Sequence, residues 1–324
     1  MKNLRYWMIL MMTLLLVACE DRYESEIFEQ SPAERTDATV ERYRFALLAS
    51  ETWVLEYFPD DNLNYGGWVY VIQFRNDNTL KAWFEGSTFV TKENPIVESE
   101  YAVEFSTGPM LKFNTHNDYL HYFTVAGDNG SGYQGYKGDF EFTLMSLSPA
   151  FDEIIMRGNR TENRYRMTPL SGEYTPESYI EAVRGDQMAN GHTSFRLMAN
   201  GEQIGTMSRP NKPYFTNFHQ YASSKVWTIS YAYEAQMKDP DTGLPIFDEQ
   251  GEPVMEMVQV QDRVSAINLP GNIMKFYEPY TFKGEIVPLL KGQTMQTFEW
   301  QLGPTSAGDH FACTDSFFDF QLLP

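Results

Sequence analysis

The chain has 324 residues, 44 of them acidic and 25 basic, for a formal charge of −19 at pH 7, and a surface of that sign repels nucleic acid and anionic headgroups. Its 42% hydrophobic and 15% aromatic content is enough for real cores, in one large or two ordinary domains. Only two cysteines are present, Cys19 and Cys313, so once Cys19 is assigned to lipid (below) no disulfide framework holds the fold.

In chain order, Lys2 and Arg5 precede an apolar run from Ile9 to Val17 broken only by Thr13, and Leu16-Val17-Ala18-Cys19 follows. A charged start, a short apolar stretch and a small-residue cleavage site predict an export signal over residues 1–18. The apolar run is too short to span a bilayer, which takes about 20 residues. The Leu-Val-Ala-Cys ending resembles the bacterial lipobox, cut before a cysteine whose thiol has been diacylated. That resemblance implies lipidation at Cys19, and several acyl chains on one residue give stable membrane anchoring where a single chain is marginal. Residues 19–30 are acidic and poorly patterned and read as a tether. Glu20 and Asp21, directly after the cysteine, resemble the surface-export signal of Bacteroidetes lipoproteins.

Ser31-Pro32-Ala33-Glu34 has the form of a capping box with proline at the first helical position. Val40, Tyr43 and Leu47 then recur at helical steps, and the helix is expected to end near Ser50. From Trp53 the period changes to two. Alternating runs include Trp53–Tyr57, Trp68–Phe74, Leu80–Phe84, Tyr101–Phe105, Tyr119–Val125, Phe140–Leu144 and Tyr165–Met167, with turn residues between them. Thr175-Pro176-Glu177 opens a second helix, with Tyr179, Ala182 and Val183 on one side. Strands then resume at Phe195, and Asn200-Gly201 is a strong hairpin signal. Residues 239–253 carry two turn signals and read as an extended hairpin tip. Strands at Met255–Ile267, Thr281–Val287 and Thr297–Leu302 complete the pattern. The expectation is a mainly β protein with minor α content: two antiparallel β-sandwich or open-barrel halves, 31–170 and 171–324, each preceded by a short helix.

The lipobox, Ser31-Pro32-Ala33-Glu34-Arg35, and Trp53-Val54-Leu55-Glu56-Tyr57-Phe58-Pro59 with Gly66-Gly67 behind it resemble a family of Bacteroidetes lipoproteins catalogued as domain of unknown function 4302. Gly138-Asp139-Phe140-Glu141-Phe142 and Arg157-Gly158-Asn159-Arg160-Thr161 fit the same family. The resemblance covers most of the chain after the signal and is strongest over residues 31–170. It brings no catalytic residues. It implies a place at the outer membrane, on the cell surface, beside nutrient importers of the SusC and SusD type.

Enzyme signatures are sparse. None of the five histidines begins a His-Glu-x-x-His helix. His116 and His121 flank a predicted turn without a third ligand, so no metal and no cofactor is expected. Asp239-Pro240-Asp241-Thr242-Gly243 lacks the rest of a calcium loop and reads as a turn. Cys313 reads as a buried structural thiol.

The ligand-binding candidates are Trp83, Tyr133 and Tyr136, read as exposed aromatics able to stack on a sugar face, with Arg164 and Arg166. The two arginines share a strand face, where they would bind a carboxylate or sulfate in bidentate fashion or pair with local acids. The leading expectation is a non-catalytic binding or accessory component of an uptake system, taking a glycan or peptide. Two alternatives stay open. One is a glycosidase whose carboxylate pair sequence does not reveal; the other is a structural subunit of the importer that touches no ligand.

Overall fold

Ser31 opens helix α1 (Pro32–Ser50) through the expected capping box: its hydroxyl accepts from the Glu34 amide, and the Glu34 carboxylate accepts from the Ser31 amide at 2.8 Å. The computed structural model describes residues 31–127, 133, 135–185, 188–209, 218–284, 290–304 and 308–324. The export signal, Cys19 and the tether lie outside the described residues.

Behind α1 the chain forms an antiparallel meander: β1 (Thr52–Tyr57), β2 (Trp68–Phe74), β3 (Thr79–Phe84), β4 (Glu98–Phe105), β5 (Pro109–Phe113), β6 (Glu141–Leu147), β7 (Ile154–Gly158) and β8 (Arg164–Pro169). β8 returns to pair with β1, with Glu56 opposite Arg166, so the sheet closes as barrel 1. After helix α2 (Pro176–Gly185) the pattern repeats as barrel 2: β9 (Ser194–Ala199), β10 (Glu202–Ser208), β11 (Val226–Gln236), β12 (Met255–Leu269), β13 (Ile273–Thr281), β14 (Thr294–Gln301), β15 (His310–Cys313) and β16 (Phe320–Leu323). Here β16 pairs with β9. The expected mainly β architecture in two antiparallel halves, each led by a helix, is borne out, with both sheets closed. Closure gives every strand a neighbour on both sides, although β11 and β12 run on beyond theirs.

Eight strands enclose a lumen that side chains can just fill, and here they fill it. Trp53, Tyr57, Tyr70, Phe123, Phe142 and Tyr165 are among the rings packed inside barrel 1. Alternation sends Val54, Val69 and Val71 outward, yet they too are buried, against Ile180 and Val183 of α2 and Ile267 of β12. β1 and β2 are therefore covered on both faces, which is why their sequence is apolar at successive positions. At the base of barrel 1, α1 buries Tyr43 and Leu47, and the Trp53 indole donates to the Leu47 carbonyl at 3.0 Å.

Helix α3 (Phe218–Ser223), on the β10–β11 connection of barrel 2, enters the core of barrel 1. Phe218 stacks on Trp68 with ring centroids 5.2 Å apart. Just beyond it, the Lys225 ammonium is buried against the Glu85 carboxylate and donates to the Gly67 carbonyl at 2.7 Å. Glu85 also accepts from the Val69 amide at 2.7 Å and the Tyr221 hydroxyl at 3.0 Å. A charge removed from water needs this degree of pairing.

Some expectations are corrected. Residues 119–125 form helical turns instead of a strand, because the Asn117 side chain accepts from the amides of Tyr119 (3.0 Å) and Leu120 (3.1 Å) and diverts the chain locally. Leu120, Tyr122 and Phe123 still point into the core. The strand expected to begin at Thr281 ends there instead, and residues 285–289 of that expectation lie outside the described residues. β15 and β16, each only four residues long, are additional to the expected strands. Asn200 and Gly201 both have positive φ, 49° and 84°, as the predicted hairpin requires.

Candidate functional site

Where the two barrels meet, β1, β8 and β13 line a cleft of about 260 Å³. Its floor is an ion-pair network that crosses from one barrel to the other. Glu56, on the outer face of β1, is buried and accepts from Arg166 of β8 at 3.0 Å and from Lys275 of β13 at 2.7 Å. Arg166 also donates to Glu153 at 2.6 Å. Burial works against the Arg166 charge, but the Glu153 and Glu56 carboxylates outweigh it, so the guanidinium is held more firmly protonated.

Tyr277 forms one wall. Its ring meets Phe58 edge-on, with centroids 4.9 Å apart, and its hydroxyl accepts from the Arg164 amide at 2.7 Å. Burial raises the Tyr277 pKa, so the phenol stays neutral. Arg164 lies at the mouth with its side chain exposed; among the described residues its guanidinium makes no ion pair. The cleft thus offers one uncommitted guanidinium, a neutral phenol and a fixed network beneath them. That combination suits a carboxylate or another planar anion. Sites of this kind concentrate at domain interfaces.

The residues singled out from sequence fare differently. Arg164 and Arg166 are brought together in the cleft, Arg166 with its acids and Arg164 without. Trp83 is on the outer face of β3, as alternation implies, but α2 half-covers it: its indole donates to Glu177 at 2.8 Å and Lys81 lies over its ring. Tyr133 is fully exposed. Tyr136 is buried, contrary to the expectation of exposure, because α3 arrives from barrel 2 and places Phe218 with its ring centroid 4.2 Å away. Trp83 lies outside the barrel wall and Tyr136 inside it, so the aromatics do not build one site.

Sequence reasoning missed Glu56, Lys275 and Tyr277. Glu56 did carry a signal, being the lone carboxylate within an apolar run of seven residues, Trp53–Pro59. Lys275 carried none, since its partner is 219 residues away.

A second hollow of about 130 Å³ lies near the end of barrel 1 that α3 enters, among Phe89, Tyr122, Lys92, His116 and Asp118. Burial would raise the Asp118 pKa, but hydrogen bonds from Lys92, the Ile96 amide and His116 bring it below the usual carboxylate range. The His116 and His121 rings are neighbours, tilted by 40° with centroids 5.3 Å apart. Among the described residues no three His, Cys, Asp or Glu side chains are grouped to hold a metal. Residues 239–243 form a turn in which Asp239 accepts from the Asp241 and Thr242 amides at 3.0 and 2.8 Å. Burial pushes the Cys313 thiol up to about 12, which removes the thiolate needed for reactivity.

The family model described as domain of unknown function DUF4302 matches residues 24–288. Neither the curated proteins nor the solved structures contain a match.

Proposed function

This chain belongs to the DUF4302 family, and on that premise we propose that it is a non-catalytic, lipid-anchored binding protein whose ligand is a carboxylate-bearing glycan or peptide held in the interbarrel cleft. The observation that carries this reading is the contrast between the two cleft arginines. Arg166 is spent on Glu56 and Glu153, whereas Arg164 stands at the mouth beside Tyr277 with no ion pair among the described residues. In an acidic protein an uncommitted arginine in a cleft is a local attraction for an anion that the rest of the surface repels. The lipobox ending at Cys19 supports anchoring at the outer membrane, and the acidic residues after it support display on the cell surface. The family resemblance supports a place as an accessory component of a SusC/SusD-type nutrient uptake system.

Binding is tested by affinity electrophoresis and calorimetry with polygalacturonate, a tryptic casein digest and neutral dextran. Retention on an acidic probe without turnover is expected, lost in Arg164→Ala at unchanged melting temperature. Turnover of either polymer would establish the hydrolase alternative, with Glu56 and Glu153 as the first carboxylates to replace. Co-purification with an importer and retention on no probe would establish the structural subunit instead. Anchoring is tested by labelling with a fatty-acid analogue, which should mark the native chain and not Cys19→Ala.

A further inference from the structure

β11 pairs with β12 along its full length, from Val226 opposite Ser265 to Gln236 opposite Met255. Their other neighbours stop much earlier. β10 accompanies β11 only as far as Tyr231, and β13 pairs with β12 only from Ala266 onward. The hairpin therefore leaves barrel 2 as a two-stranded ribbon. Past Gln236 it curls on itself, with bridges between Lys238 and Pro245 and between Phe247 and Pro253. Its base is stiff: the Tyr233 ring lies where a side chain on Gly284 would stand.

This ribbon leaves the rim of barrel 2 opposite the one that sends α3 into barrel 1. It carries apolar side chains that no other described residue covers. Leu244, Phe247 and Met257 are each more than half exposed, Met255 is about half exposed and Met237 is 38% exposed. By register Met255 and Met257 share the outer face of the ribbon. A two-stranded hairpin alone in water is marginal, so a long one with exposed methionines and a phenylalanine is an element built to be covered. Methionine suits that role because its flexible thioether adapts to a partner's shape.

The charge of the ribbon selects the partner. Between residues 234 and 257 the sequence holds seven carboxylates and one lysine. An anionic membrane surface would be repelled, and so would a second copy of a chain whose net charge is −19. We propose that residues 232–259 are a docking arm for a partner protein whose contact surface is apolar with a basic rim. This goes beyond the ligand cleft and does not depend on it.

The test is photo-crosslinking in the native host, with benzoylphenylalanine placed at position 247 or 257 of the full chain and, as a control, at position 105, an exposed site on barrel 1. The expected result is one discrete protein adduct from the arm positions only, with the crosslinked partner peptide carrying net positive charge. In detergent extracts its yield should fall several-fold between about 50 mM and about 500 mM salt, as screening shortens the reach of the charges. Met255→Glu/Met257→Glu should abolish the adduct from position 247. Adducts to lipid alone, to a second copy of this chain or to an acidic peptide would overturn the proposal. So would equal yield from position 105, no adduct at all, or persistence in the double variant.

Discussion

Barrel 1 and barrel 2 share a strand count and a meander topology, but they differ in how their ends are closed. Barrel 2 is self-contained at its outer end: Phe282 and Leu290, from its own β13–β14 connection, belong to its core. At its inner end the buried Arg209 guanidinium donates to the carbonyls of Ala189 and His192, both at 2.7 Å, and lies over the Trp227 ring. Burial lowers the Arg209 pKa to about 10, a structural use of arginine. Barrel 1 instead borrows. Its base is closed by α1, but its upper end is filled by Phe218, Tyr221 and Ala222, which barrel 2 supplies. An aromatic-rich lumen needs a plug of matching shape, and that plug lies on the other half of the chain. The difference makes barrel 1 dependent on barrel 2, while barrel 2 has apolar surface to spare on its arm.

The sharpest way to break this comparison is to separate the halves. A fragment of residues 31–170 should fail to unfold cooperatively in urea, because it keeps Trp68 and Glu85 but loses α3 and Lys225. A fragment of residues 171–324 should retain a cooperative transition. Cooperative unfolding of the first fragment, or its absence in the second, would reverse the assignment of dependence.

A smaller effect is expected at the buried pair. Lys225→Met leaves the Glu85 carboxyl group buried without its cation and should cost about 3–5 kcal/mol, as removal of one partner of a buried ion pair does. Lys225→Met/Glu85→Leu should cost clearly less than the sum of the two single changes, read as the coupling in a double-mutant cycle from urea unfolding. Additive costs would mean that the pair does not hold α3 in place.

The smallest effect is a pH dependence confined to barrel 1. Burial, aided by the neighbouring His116, lowers the His121 pKa below 6.5. The unfolded chain then binds a proton that the folded chain refuses. Stability from this source is complete above pH 6.5 and declines as pH falls from there toward the lower folded value. Urea midpoints measured from pH 7.5 down to pH 5 should fall in the native protein and fall less in His121→Gln. Equal slopes would remove His121 as the cause.

How much of this was legible beforehand varied by element. Val40, Tyr43 and Leu47 announced the face that α1 buries, and Ser31 and Glu34 announced its start, because both signals involve residues only three or four apart. Asn200-Gly201 announced its hairpin for the same reason. The alternation in β2 marked Trp68 and Tyr70 as inward. Val69 and Val71 between them were a sign of cover on both faces, but nothing in the run said that α2 and β12 supply it. Arg164 and Arg166 were legible as a pair on one strand face. Their different fates were not, because Glu56, Glu153 and Lys275 reach the cleft from three other segments.

The sequence by itself determined the start of α1 and α2, the Asn200-Gly201 turn, the two strand-rich halves and the inward set of strands such as β2 and β3. These depend on backbone preferences and on periodicity within a few residues. Only the tertiary structure decided that β8 returns to β1 and β16 to β9, that α3 fills the other barrel, that Tyr136 is buried and that the cleft assembles around Glu56. A period of two says which face a side chain takes and is silent on which strand lies alongside. That choice is made by packing between segments a hundred or more residues apart, where only the closed fold brings Glu56 to Lys275 and Lys225 to Glu85.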